Sequence, residues 1–288
     1  MSILKDMTIS AFQKTILDWH KTNRRNMPWR ETKDPYKILV SEVMLQQTQV
    51  ARVIPKYQEF LKAFPTLHAL AKAPDKKLLL VWQGLGYWER ALALKETAKR
   101  IVKKYKGIFP KDTKVLETFP GIGPYTARAV ACFAFGKKEA FMDTNIRRVY
   151  LHFFSPNRKN VPDKEILPIA QKAMDAILYP NSYDRRNHGI SPREWHYALF
   201  DYGATVLKDK KINKRSKHYT KQSRFTGSFR SFRTKVMRFL LDQPRQTATK
   251  HKLEKLLKTS GSPYASEKIF ASLEKDGLIK KKGASYSL

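Results

Sequence analysis

Leu116-Glu117-Thr118-Phe119-Pro120-Gly121-Ile122-Gly123-Pro124-Tyr125-Thr126-Ala127-Arg128-Ala129-Val130 is followed by an apolar run to Phe135 and then by Phe141-Met142-Asp143-Thr144-Asn145. Pro120 to Gly123 predicts a tight turn, because two glycines around one aliphatic residue permit backbone angles that other residues resist. Pro124 suits the first turn of a helix, which Thr126 to Phe135 continues with ample apolar content. The stretch thus predicts two helices joined by a glycine hairpin, with N–H groups pointing outward at a helix N-terminus. Such an end is an anion site. Taken alone, Gly-x-Gly fits equally well as a plain turn between packed helices.

Charge narrows the anion. The 288-residue chain holds 57 Lys and Arg against 25 Asp and Glu, a formal net charge of +32. That excess is most simply explained by a polyanion partner such as nucleic acid, bound less tightly as salt rises. A membrane surface explains it less well, since no long uncharged apolar run and no lone basic amphipathic helix is present. The N-terminal Met-Ser-Ile-Leu-Lys-Asp lacks a signal-peptide apolar region, so the expected location is the cytoplasm, beside the nucleoid in a prokaryote. Cys132 is the single cysteine, among Ala131, Phe133 and Ala134. It allows no internal disulfide and no multi-cysteine metal site, and reads as a small buried apolar residue. No metal site is expected, and a monomer is.

Helical periodicity runs through most of the chain. Helices are predicted over about 8–20, 36–50, 55–63, 74–82, 89–104, 146–154, 163–179 and 194–207. No strand-like alternation precedes residue 225, so the first domain reads as all-α. In the 36–50 helix, Glu42 has Ile38, Leu39, Leu45 and Gln46 one turn away. On that mostly apolar face the carboxyl either snorkels outward or sits in a pocket with a raised pKa. Gln83-Gly84-Leu85-Gly86-Tyr87-Trp88 is a second glycine-bracketed turn. It is either a capped helix end with a packed tyrosine or a wedge for a base stack. From Leu207 to Arg224 basic residues crowd in with few apolar ones, which predicts a mobile linker. Three helices over about 232–241, 250–258 and 264–276 follow, then a short hairpin turning near Gly283. That pattern is winged-helix-like.

The whole arrangement resembles the helix-hairpin-helix DNA glycosylases, the superfamily of endonuclease III and adenine glycosylase. In that superfamily the hairpin, here Gly121, Ile122, Gly123 and Thr126, holds the DNA backbone. A catalytic Asp follows the residue just after the hairpin by a fixed interval, and eighteen positions separate Tyr125 from Asp143. Pro28-Trp29-Arg30, Val40-Ser41-Glu42-Val43-Met44-Leu45-Gln46-Gln47-Thr48-Gln49-Val50 and Gly84-Leu85-Gly86-Tyr87-Trp88 are similar to the adenine-specific, MutY-type branch. The similarity spans about 19–203. It implies that Glu42 protonates the leaving adenine and that Asp143 stabilises the charge developing on the deoxyribose. It further implies that Gln46, Gln47 and Tyr87 fill the space left in the duplex, with Trp29, Arg30 and Asn145 at the base pocket. A Lys just after the hairpin would make a strand-cutting enzyme. Tyr125 cannot form a Schiff base, so base removal alone is expected.

Two departures from the family qualify these expectations. Most relatives ligate a [4Fe–4S] cluster with four cysteines after the segment matching Gly203 to Leu207, and one cysteine cannot do this. No cofactor is therefore expected, and the basic 207–224 stretch is expected to take over DNA contacts. Relatives also carry a C-terminal domain that checks for 8-oxoguanine, and the last 60 or so residues are too few for it. The expected organisation is a two-lobed helical glycosylase domain at 1–206, with a six-helix lobe at 28–133 and a second lobe at 1–27 plus 134–206. A basic linker at 207–227 and a winged-helix-like domain at 228–288 complete it. The expected function is monofunctional removal of adenine opposite G or 8-oxoguanine in double-stranded DNA. The alternatives are removal of thymine or uracil opposite G, and DNA binding without catalysis.

Overall fold

Thr8 opens the first helix, its hydroxyl accepting from Ala11 N, and α1 (Ile9–Asn23) buries Phe12 and Ile16. The computed structural model describes residues 7–178, 190–208, 211–221 and 224–288. A short 3₁₀ turn, Pro28–Arg30, leads to α2 (Pro35–Leu45), whose start is held by Asp34 accepting from Tyr36 N. α3 (Val50–Ala63), α4 (Leu67–Lys72), α5 (Asp75–Trp82) and α6 (Glu89–Tyr105) follow. The glycine hairpin joins α7 (Thr113–Glu117) to α8 (Pro124–Phe135), and Asp143 then caps α9 (Thr144–Phe154). α10 (Asp163–Leu178) and α11 (Pro192–Thr205) complete this series, α11 starting at a capping box of Ser191 and Glu194.

The C-terminal segment contains α12 (Phe229–Asp242), β1 (Thr247–Thr249), α13 (Lys250–Thr259), α14 (Ser266–Lys275), β2 (Lys280–Lys282) and β3 (Ser285–Ser287). Its sheet is antiparallel in the order β1-β3-β2, with Ala248 and Lys281 both opposite Tyr286. Strand β1 carries no sequence signal beyond three residues, Thr-Ala-Thr, and exists because β3 pairs with it. Among the described residues no helix is long and apolar enough to cross a membrane.

Two compact units result, one of residues 1–42 with 110–220, the other of 43–109 with 221–288. In the first unit, Phe12 is the centre of an aromatic core, its ring 5.0–5.7 Å from those of Tyr150, Phe153, Phe154 and Trp195. In the second, Phe60 packs on Phe64 at 5.0 Å and on Trp82 at 5.9 Å, while Phe270 packs on Tyr286 at 4.8 Å.

Two expectations need correction. The helix expected over 36–50 ends at Leu45, and Gln46 to Gln49 form a turn in which Gln47 takes φ 55°. The continuous apolar-amide run disguised that break. Residues 212–217 of the stretch expected as a mobile linker are instead packed into the first unit. Ile212 is buried, and Val161 N and Lys217 N exchange backbone hydrogen bonds of 2.9 Å with Arg215 O and Val161 O. Arg215 also donates to Leu151 O in the last turn of α9 and to Ser155 O and Pro156 O just after it. Its cations therefore serve partly as carbonyl donors, a use that composition does not reveal. Lys210, counted in that stretch, and Tyr179, expected as the end of its helix, lie outside the described residues.

Candidate active site

Glu42 is buried on α2, at 4% exposure. The Tyr125 hydroxyl donates to its Oε2 at 3.0 Å. The snorkelling alternative is thereby excluded. Burial pushes the carboxyl up to about 7, aided by the negative charge of Asp143 and opposed by the Tyr125 hydroxyl and by Arg30. Tyr125, half-buried in the first turn of α8, is held protonated by burial and by the two nearby carboxyls.

Asp143 has a different setting. It is half-buried and is the N-cap of α9, accepting from Ile146 N at 2.6 Å and from Asn145 N at 2.9 Å. Asn145 Nδ2 donates to its other oxygen at 2.9 Å. Burial raises its pKa too, while these three donors and Arg147 oppose the rise. A helix N-terminus favours the ionised form. The proton shared by this pair therefore belongs on Glu42 and the charge on Asp143. Asn145, expected at the base pocket, is placed here as the clamp on Asp143.

Gly203 of α11 keeps this clamp in register. A Cβ at Gly203 would lie 2.4 Å from Asn145 O, and Gly203 O accepts from Arg148 at 2.7 Å. Only glycine permits α11 to approach the Asp143 loop so closely.

Trp29 and Arg30 are both buried in the first unit. The Arg30 guanidinium donates twice to Asp201, at 2.8 Å each, and lies 4.3 Å above the Tyr197 ring. Arg25 donates to the same carboxylate at 2.6 Å. Asp201 is fully buried, which by itself raises a carboxyl, but donors from His20, Arg30 and Arg25 hold it far below its usual range. Arg30 is thus a paired cation supporting Tyr197, whose own pKa is raised to about 12 by burial, lowered by Arg193 and raised by Glu42. Tyr197 and Asp201 were not singled out from the sequence. Their spacing on α11 is that of any amphipathic helix.

The hairpin is built from one glycine in the left-handed region and one that is not. Gly121 takes φ 74°, whereas Gly123 is extended at φ −88°, ψ 178°. A Cβ at Gly123 would meet no protein atom within 4 Å. No side chain caps the N-terminus of α8 there. Ile122 and Thr126 are buried, so only their backbones can face an anion.

Gln46, Gln47 and Tyr87 belong to the second unit. The Tyr87 hydroxyl donates to Gln47 Oε1 at 2.6 Å, and Tyr87 takes φ 47°. Left-handed backbone in a tyrosine and a glutamine costs about 1–2 kcal/mol each and persists only where the surroundings enforce it. Arg90 enforces it. This buried guanidinium donates to Val43 O at 2.8 Å, Gln46 O at 2.5 Å, and Leu85 O and Gly86 O at 3.1 Å. It ties together both turns, and an isolated arginine in an amphipathic helix gave no sign of that in the sequence.

The residues present do not suit a four-cysteine cluster. Cys132 is the sole cysteine, buried on α8 with its sulfur 3.6 Å from His196 Nδ1 and its thiol pushed up to about 12 by burial. Among the described residues no group of three or more His, Cys, Asp or Glu could hold a metal ion.

Residues 40–173 match the HhH-GPD superfamily base excision DNA repair protein family. An adenine DNA glycosylase of Buchnera aphidicola is 37% identical over 201 residues, covering 69% of this chain and 54% of that protein. A thymine/uracil-DNA glycosylase of Methanothermobacter thermautotrophicus is 36% identical over 204 residues, covering 70% of this chain and 86% of that one. A solved thermostable thymine-DNA glycosylase superposes with a TM-score of 0.59 at 30% identity, covering 70% of this chain and 89% of that one. The chain thus spans about half the length of the first of these relatives and most of the second. With the hairpin, the tyrosine behind it and the capping aspartate all in place, the chain belongs to the HhH-GPD superfamily of base excision DNA repair proteins.

Proposed function

We propose that the chain is a monofunctional DNA N-glycosylase that removes adenine mispaired with G or 8-oxoguanine and leaves an abasic site. One observation supports the choice of base: Glu42 is buried beside the Tyr125 hydroxyl and near Asp143, a setting that pushes its carboxyl up to about 7. An N-glycosidic bond to neutral adenine breaks slowly because the departing base is a poor anion, and protonating the ring removes that penalty. A pyrimidine such as uracil leaves more readily as an anion and has less need of such an acid. Glu42 gives its proton to the purine as the C–N electron pair moves onto the base. The sugar becomes oxocarbenium-like, and ionised Asp143 stabilises it electrostatically. Water then adds to the anomeric carbon and gives up a proton. Positioned acids of this kind typically contribute about 10²–10⁴-fold.

The nucleotide must leave the duplex to reach these groups, at a cost of a few kcal/mol that is least for a mispair. Tyr87, hydrogen-bonded to Gln47, would fill the vacated stack, with the hairpin holding the phosphates. No step requires a cluster or metal. Tyr125 has no amine, so neither a Schiff base nor strand cutting follows.

The second reading, release of thymine or uracil opposite G, is favoured by the 86% coverage of the Methanothermobacter thermautotrophicus relative. Duplexes with A, T, U or C opposite G and 8-oxoguanine, scored for alkali-labile sites, decide between them. Adenine release that Glu42→Gln abolishes supports the first reading. Release confined to T or U replaces it with the second. Rapid nicking without alkali, trapped by borohydride, overturns the monofunctional assignment.

A further inference from the structure

The second unit contains a groove of about 550 Å³ between α12 and the Tyr87 turn, lined by Arg52, Arg230, Arg233, Arg238, Tyr87 and Phe225 among others. Glu89 is the one acidic residue in its lining. Arg230 lies 5.2 Å over the Tyr87 ring and donates to its hydroxyl, so α12 is fastened to the Tyr87–Gln47 pair itself. Arg233 is paired with Asp276. Arg52 and Arg238 are exposed, and among the described residues neither has an ion-pair partner. Phe225 is 52% exposed at the rim. Like charges gathered in one hollow oppose their own assembly unless an anion enters. Guanidinium forks suit phosphate oxygens, and exposed aromatic faces suit bases.

We propose that this groove is a DNA site in which Arg52 and Arg238 bind backbone phosphates of the strand complementary to the one that loses its base. The inference rests on the reading of Tyr87–Gln47 as the pair that fills the vacated stack. The nearest neighbour of such a wedge inside the duplex is the unpaired base of the complementary strand. The phosphates of that base are therefore the ones that reach a groove built against Tyr87. The strand losing its base is assigned to the hairpin at Gly121–Thr126.

The test uses the full chain and a duplex in which a tetrahydrofuran abasic analogue replaces the excised nucleotide. No base remains to excise, so the outcome is independent of whether adenine or a pyrimidine is the substrate. Anisotropy titrations across 50–300 mM salt compare the wild type with the double variant R52A/R238A. Both arginines are exposed and unpaired, and an unchanged melting temperature checks the fold. Each lost phosphate contact removes about 0.9 from the slope of log affinity against log salt, so the double variant should flatten it by about 1.8. Neutral methylphosphonate linkages beside the unpaired base of the complementary strand should weaken the wild type and leave the double variant unaffected. The same linkages on the abasic strand should weaken both proteins. An unchanged salt slope overturns the proposal and leaves the groove to another anion, such as an acidic peptide. A double variant insensitive instead to linkages on the abasic strand overturns the strand assignment.

Discussion

The two units handle charge in opposite ways. Around Glu42 the first unit removes water and supplies one hydroxyl, which leaves the carboxyl protonated at an unusual pH. Around Tyr87 the second unit gathers arginines on a concave surface, where water and salt have access. Desolvated charge is insensitive to ionic strength and sensitive to pH, and solvated charge is the reverse. Chemistry and grip should therefore separate cleanly. Catalysis should follow proton concentration, and affinity should follow salt.

The largest expected effect breaks the first half of that contrast. Glu42→Gln keeps the shape and removes the proton, so single-turnover base release should fall by about 10²–10⁴-fold while DNA affinity is retained. Stability should move the other way. The pKa of Glu42 is raised in the fold, so its contribution is intact below the unfolded value near 4.5 and is lost as pH rises through about 7. Above pH 7 the variant should be more stable, by on the order of 3 kcal/mol, and the gain should vanish near pH 4. Urea melts at pH 4, 6 and 8 check this. Equal stability at all three would mean that the carboxyl is solvated.

Next in size is the ion-pair cluster that supports Tyr197. Asp201→Ala strands the buried guanidinium of Arg30, and removing one partner of such a pair costs about 3–5 kcal/mol. The Asp201 carboxyl is depressed in the fold. Its stabilisation is therefore present above the unfolded pKa and is lost as pH falls below about 4. The wild-type loss on acidification should be missing from the variant. Gly203→Ala should cost about 1–3 kcal/mol through overpacking against Asn145 O. Base release should suffer more than stability does, because Asn145 carries two of the three donors on Asp143.

Much of the first unit was legible because its signals are local. Pro124 at a helix start, a glycine pair before it and an Asp before Thr144-Asn145 each specify a backbone event within a few residues. Glu42 was marked by its apolar neighbours, although only the fold decided that it points inward. What stayed hidden depends on distant partners. Arg30 was expected at the base, and its engagement with Asp201, 171 positions away, could not be seen. Arg90 gathers carbonyls from two turns over 40 residues apart from it on one side. The basic 207–224 stretch looked like a linker because composition counts charges and cannot say that Arg215 caps carbonyls at the C-terminal end of α9.

A smaller effect sharpens the pH half of the contrast. Tyr125→Phe removes the hydroxyl that donates to Glu42 at 3.0 Å. That bond favours the carboxylate, so its loss should raise the Glu42 pKa and move the alkaline limb of base release upward. A limb that stays in place would show that the rate-limiting proton resides elsewhere.

The smallest expected effect on the fold is at Gly123. Its φ of −88° suits any L-residue, and an added Cβ meets no protein atom within 4 Å. Within the folded chain nothing requires glycine there, unlike Gly121 at φ 74°. Gly123→Ala should alter stability by only a few tenths of a kcal/mol, since an N-cap alanine loses slightly and a less flexible unfolded chain gains slightly. DNA affinity should nevertheless drop several-fold, because a methyl group would stand where a phosphate approaches the N-terminus of α8. The paired result is the informative one. Unchanged stability with weaker binding assigns the glycine to the DNA, whereas unchanged binding would make the hairpin a turn and nothing more.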